Sequence, residues 1–174
     1  MVHTLGIGAA ESVPGLPLLQ KLLENQTRVQ AEMPLYRIAY KSTVGKQITK
    51  AEIRQILASS ENNNQRDNLT GALLFNSGVF LQILEGRRAK INRLLERLSG
   101  DPRHKEIEYI GLEPIADRIF PKWSMALIED NSVTRGILLK YCGVDKPDVE
   151  ALGLAEVTEM MLQMLGQSPP AKAT

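Results

Sequence analysis

An α+β sandwich with the element order βαββαββ is the fold class that residues 35–128 predict. Two observations carry it. Five short stretches have the composition and period of strands, and two stretches of helical period interrupt them, after the first and third. Strand–helix–strand crossovers onto one sheet are right-handed, so two of them place both helices on the same face, the ferredoxin-like arrangement. The opposite face then needs a cover, and the C-terminal residues supply two amphipathic stretches for it.

The elements follow in order. LYRIAYKS (35–42) alternates Tyr36, Ile38 and Tyr40 against Arg37 and Lys41, a half-buried strand. Thr49 precedes Glu52 at capping-box spacing, and Ile53, Ile56 and Leu57 form one helical face. That helix ends in the polar run SSENNNQRDN (59–68). LTGALLF (69–75) and VFLQILE (79–85) read as a hairpin about Asn76-Ser77-Gly78. Residues 88–98 form a helix with Ile91, Leu94, Leu95 and Leu98 inward. Residues 107–112 and 123–128 are the last two strands; on the second, Trp123 and Met125 are expected to share a face.

Outside this sandwich, residues 1–33 form an N-terminal extension, a start poor in pattern and then a short helix with Leu18, Leu19, Leu22 and Leu23. Residues 131–174 are a helical cap and tail, with helices over 134–141 and 154–165 and a loose SPPAKAT end. The second helix is Met-rich at Met160, Met161 and Met164, a face suited to partners. These tail helices are expected to carry assembly and output, and residues 1–32 to be dispensable for ligand binding.

The 174 residues are 43% hydrophobic and 24% charged with a formal charge of +1, which suits one compact domain with appendages. No overall basic field points to nucleic acid. The single Cys142 cannot close an internal disulfide, no apolar run reaches the roughly 18–20 residues a membrane span needs, and the start is a poor secretory signal. A cytoplasmic protein is expected. His3, His104 and Cys142 stand too far apart for a metal-ligand spacing, and no phosphate-loop, dinucleotide or nucleophile-elbow motif is present.

Three features ask for an explanation. Gln82 shares a strand face with Phe80 and Leu84, where a carboxamide costs roughly 2–7 kcal/mol unless its hydrogen bonds are met. Tyr40 lies on the inward face of the first strand; taken alone, it reads as a core tyrosine with a bonded hydroxyl. Asn62-Asn63-Asn64 reads as helix termination, yet adjacent carboxamides also offer the donors and acceptors that a planar heterocycle with alternating N–H and C=O groups requires.

The motifs LYRIAY, NNNQRDNLTGALLF, FLQILEG, DPRH and FPKWSM, in that order and spacing, resemble the BLUF domain, a flavin-binding blue-light sensor. The resemblance covers about residues 34–130, and the layout is similar to the short stand-alone members, with no attached enzyme. It implies a non-enzymatic photoreceptor holding FAD. Tyr40 matches the photoactive tyrosine that gives an electron to the excited flavin, and Gln82 the glutamine bridging it to the flavin edge. Asn64 and Asn63 match ring-edge contacts. Ser42, Trp123 and Met125 match the light-responsive positions near the glutamine. Ile56, Phe80 and Leu98 fall where the family sandwiches the ring, and Arg97, Asp101, Arg103 and His104 near the ribityl-phosphate exit. Asn68 departs from the glycine common there, though asparagine also tolerates a left-handed backbone. Stand-alone members form ring-like homo-oligomers and hold a response-regulator-like partner, which this likeness implies as the output. Two other classes are compatible with the fold: a regulatory module binding a small ligand, and a hydrolase of acylphosphatase type, for which the phosphate-cradling loop is missing.

Overall fold

The computed structural model describes residues 18, 20–23, 25, 26, 33–45 and 48–167. The expected loose start (1–15), His3, Leu19 and the SPPAKAT end lie outside them. The chain divides between Met33 and Pro34, and the sheet belongs wholly to the second unit. In the first unit Leu18, Leu22 and Leu23 are helical and exposed.

Strand β1 spans Leu35–Val44, helix α1 Lys50–Asp67, β2 Thr70–Asn76, β3 Val79–Arg87, α2 Arg88–Ser99, β4 His104–Ile115, β5 Ala126–Ile128, α3 Ser132–Cys142 and α4 Leu154–Met164. The sheet order is β4-β1-β3-β2-β5, antiparallel except for the β2–β5 pair. The ferredoxin-like βαββαββ order is therefore present, followed by two C-terminal helices.

Local chemistry sets the boundaries. The Thr49 hydroxyl accepts the Glu52 amide at 3.2 Å and Glu52 reaches back to the Thr49 amide at 2.9 Å, a capping box that starts α1. Asn68 ends it in the left-handed region (φ 53°), donating its amide back to the Asn64 and Gln65 carbonyls. Ser77 and Gly78 both have positive φ, the two-residue hairpin turn whose twist matches that of the strands it joins. A side chain at Gly71 would meet the Ile83 carbonyl at 2.0 Å, so only glycine fits where β2 crosses β3.

Both sheet faces are covered. On one, Ile38, Tyr40, Leu73, Phe80 and Leu84 pack with Ile56 of α1 and with Ile91 and Leu94 of α2. On the other, Ala39, Ala72, Leu74, Leu81 and Ile83 pack with Leu138 of α3 and with Val157, Met160, Met161 and Leu162 of α4. This is why β3 reads as nearly continuous apolar sequence rather than as alternation.

Two sequence expectations are corrected. Met160 and Met161 are not held out for a partner: both are fully buried, because the second sheet face needs a cover and α4 supplies it. The last strand is only Ala126–Ile128, and residues 121–125 have irregular backbone, so strand alternation does not apply to Trp123 and Met125. Met125 packs in the core between sheet and α1/α2, Trp123 against the α3/α4 core. They face opposite sides.

Candidate functional site

A cleft with a cavity volume of about 170 Å³ opens between the sheet and helices α1 and α2. Its origin is legible along α1. Ile56, Ser59, Ser60, Asn63 and Asn64 recur at helical spacing and line it. The helix face that is apolar at Ile56 turns small and polar one turn later, so α1 stands off from the sheet. Leu94, Arg97 and Leu98 of α2 form a second wall. Asp101, Arg103 and His104 lie in and beside the turn that follows α2 and complete the lining. Ser59 and Ser60 were not picked out from the sequence as site residues, though the 56/59/60/63 spacing was available as a signal, and Leu94 was read only as an inward helix residue.

Tyr40 and Gln82 line the sheet side of the cleft. They are direct partners in the β1–β3 register, and the Tyr40 hydroxyl donates to Gln82 Oε1. The phenol is fully buried, and that burial, with a smaller contribution from Tyr109, drives its pKa far above the usual tyrosine value. It therefore stays protonated and remains a donor. At its other end the Gln82 amide donates from Nε2 to Met125 Sδ at 3.3 Å. Thioether sulfur is a weak acceptor, so one end of the amide is held firmly and the other loosely.

Asn64 is fully buried, and its Nδ2 donates to the Ser124 carbonyl at 2.8 Å. Its Oδ1 is buried with no hydrogen-bond partner among the described residues. A buried acceptor left unmet costs about 1–3 kcal/mol.

Ser42 is also fully buried, with Oγ 2.8 Å from His104 Nδ1. Phe80 does not line the cleft. It packs between Phe75 and His104, with ring centroids at 4.7 and 4.9 Å. Burial pushes the His104 pKa down, with Arg103 adding and Asp101 opposing. Asp101 accepts from Arg103 Nε at 2.9 Å, and that partner holds its carboxyl at about 2. Arg97 leans toward Asp67 at 3.5 Å and is half-exposed. Of the residues singled out from the sequence, Tyr40, Ile56, Asn63, Asn64, Gln82, Arg97, Leu98, Asp101, Arg103 and His104 meet at this cleft. Met125 reaches Gln82 from behind it, and Trp123 lies on the far side of the sheet.

Comparison with known proteins gives one family. The family model described as "Sensors of blue-light using FAD", BLUF, matches residues 35–126. Among solved structures, the BLUF protein BlrB in its dark state is 35% identical, with a TM-score of 0.60 over 76% of this chain and 96% of that one. A bacterial light-regulated adenylyl cyclase is 33% identical, with a TM-score of 0.59 over 80% of this chain and 42% of that one. The photoactivated adenylate cyclase subunit beta of Euglena gracilis is 25% identical over 114 residues, covering 65% of this chain but only 13% of that protein.

Proposed function

The chain belongs to the BLUF family of blue-light flavin sensors, and from that premise we propose that Tyr40, Gln82 and Met125 form its light-driven switch. The supporting observation is their hydrogen-bonded chain beside a cleft at which Asn64 Oδ1 has no partner among the described residues.

The residues fit a flavin. Asn64 would accept the ring's imide N–H, with Asn63 beside it on the same edge, and Ile56 and Leu98 would pack against the ring. Arg97, Arg103 and His104 would meet the ribityl-phosphate portion. FAD is the flavin this family's description names. Bound there, flavin supplies blue-light absorption and an excited state able to take an electron.

The chain's own residues do the rest. Tyr40 is the donor of electron and proton, since burial keeps its phenol protonated in the dark. Gln82 is the only group hydrogen-bonded to the Tyr40 hydroxyl among the described residues, so the proton leaves through its amide. An amide has an acceptor end and a donor end, and turning or tautomerising it exchanges the two without moving the backbone. Its weak bond to Met125 is the one given up at least cost. Met125 adjoins β5, which pairs with β2 and leads within a few residues into α3. The change at Gln82 thus reaches the α3/α4 face of the sheet.

On this reading residues 34–130 are the sensor, the role is signalling rather than turnover, and the site of action is the cytoplasm. Output passes through protein contacts, either between copies of the chain or with a response-regulator-like partner. No described helix is long and apolar enough to cross a membrane. The test is the absorption spectrum of the purified chain, loaded with FAD, before and after blue light. A reversible red shift is expected. A protein still colourless after refolding with FAD would favour a small-ligand regulatory module instead.

A further inference from the structure

We propose that Glu85 and Arg118, outside the cleft, clamp the β4–β5 connection and set how readily Met125 changes place. This rests on the photosensor reading above. The connection, residues 116–125, has no regular structure, yet it carries both Ser124 and Met125 to the site.

One end of it is fixed by a buried carboxylate. Glu85 is fully buried and accepts the Phe120 amide at 3.0 Å and the Ile119 amide at 3.1 Å. Arg37 balances its charge from Nε at 2.9 Å and Nη2 at 2.8 Å. Next to these amides, Arg118 donates to the Glu85 carbonyl at 2.7 Å, the Thr70 hydroxyl at 2.8 Å and the Asn68 carbonyl at 2.7 Å. Asn68 caps the helix that carries Asn63 and Asn64, and Glu85 follows Gln82 by three residues on β3. One guanidinium therefore joins the elements that hold Asn64, Gln82 and Met125.

A buried ion pair is often no more stabilising than apolar packing, and its best-attested use is to fix one arrangement among alternatives. Here that arrangement is the entry of the connection. When Gln82 releases Met125, the Glu85 end stays, and displacement is confined to the segment running into β5. Glu85 and Arg118 are positioning residues: neither lines the cleft.

The experiment uses the full chain loaded with FAD and compares wild type with Arg118→Ala, Glu85→Gln and the milder Thr70→Val. Flavin content and the dark spectrum are expected to match wild type. Amide exchange at Ile119 and Phe120 in the dark should quicken in Arg118→Ala and Glu85→Gln. Thermal recovery after blue light should be about fivefold faster, equivalent to about 1 kcal/mol of barrier. Thr70→Val removes one Arg118 contact and should show the same trend at about twofold; it decides the matter if the other variants do not fold. Variants with lowered Tm but wild-type exchange and recovery would make the clamp merely structural and overturn the proposal. A wild type with no light-induced shift overturns the photosensor reading and this inference with it. A normal wild-type shift with unchanged recovery in the variants overturns the clamp alone.

Discussion

Asn64 donates to the Ser124 carbonyl at 2.8 Å, tying the last turns of α1 to the residue before Met125, while its own Oδ1 stays buried and unbonded among the described residues. One side chain thus links the cleft to the segment that leads into β5. Asn64→Ala should weaken flavin binding by roughly five- to 150-fold, for the loss of about 1–3 kcal/mol. Flavin titration of wild type and variant measures this, and wild-type Tm should rise on adding flavin. Equal affinities would remove Asn64 from the site.

Met125 and Trp123 belong to opposite cores, so their substitutions should separate. Met125→Ala removes the acceptor of Gln82 Nε2 and should shift the dark absorption band of the bound flavin. Trp123→Phe touches only the α3/α4 side and should leave that band in place. Dark spectra of the two flavin-loaded variants check this, and a Trp123→Phe shift as large as that of Met125→Ala would refute the assignment.

The C-terminal helices should not be removable. Val157, Met160, Met161 and Leu162 of α4 are at most 1% exposed, and burying each contributes roughly 1.5–3 kcal/mol. Their sum is comparable to the roughly 5–15 kcal/mol that separates folded from unfolded chains. A chain ending at Gly153 is expected to lose its cooperative thermal transition. A truncated protein that melts near the wild-type temperature would contradict this and return α4 to the status of a detachable output element.

Stability should fall in mild acid through His104. Burial holds its folded pKa below the ordinary 6.5, against Asp101 and together with Arg103. A depressed pKa means the contribution is complete above 6.5 and is lost as pH drops through the folded value. Asp101, held at about 2, loses its contribution only in stronger acid. The Tm of wild type should decline as pH falls below the ordinary 6.5, and His104→Gln should flatten that decline. Parallel Tm curves for the two proteins would show that His104 is not responsible.

How much of this was legible in the sequence depended on the range of the interactions. The capping box at Thr49 and the Ser77-Gly78 turn rest on neighbours a few residues away, and they stand where local pattern placed them. Tyr40 and Gln82 were legible as inward residues on two strands, but their pairing needed the β1–β3 register. Trp123 and Met125 misled because a two-residue period was extended into backbone that is not strand. The β4 strand runs longer than expected, from His104 to Ile115, because pairing with β1 carries polar residues such as Lys105 and Glu108 along an exposed edge. The Glu85 network was invisible: its partners Arg37, Ile119 and Phe120 lie 34 to 48 positions away, and no periodicity connects them.

The central claim is that Tyr40, through Gln82, supplies the electron and proton that the light reaction consumes. Its most direct test is the blue-light difference spectrum of flavin-loaded wild type beside Tyr40→Phe, a change that keeps the packed ring and removes only the hydroxyl. Wild type should give a reversible red shift, and the variant, equally yellow in the dark, should give none at the same light dose. A Tyr40→Phe protein that shifts reversibly with wild-type yield would contradict the account.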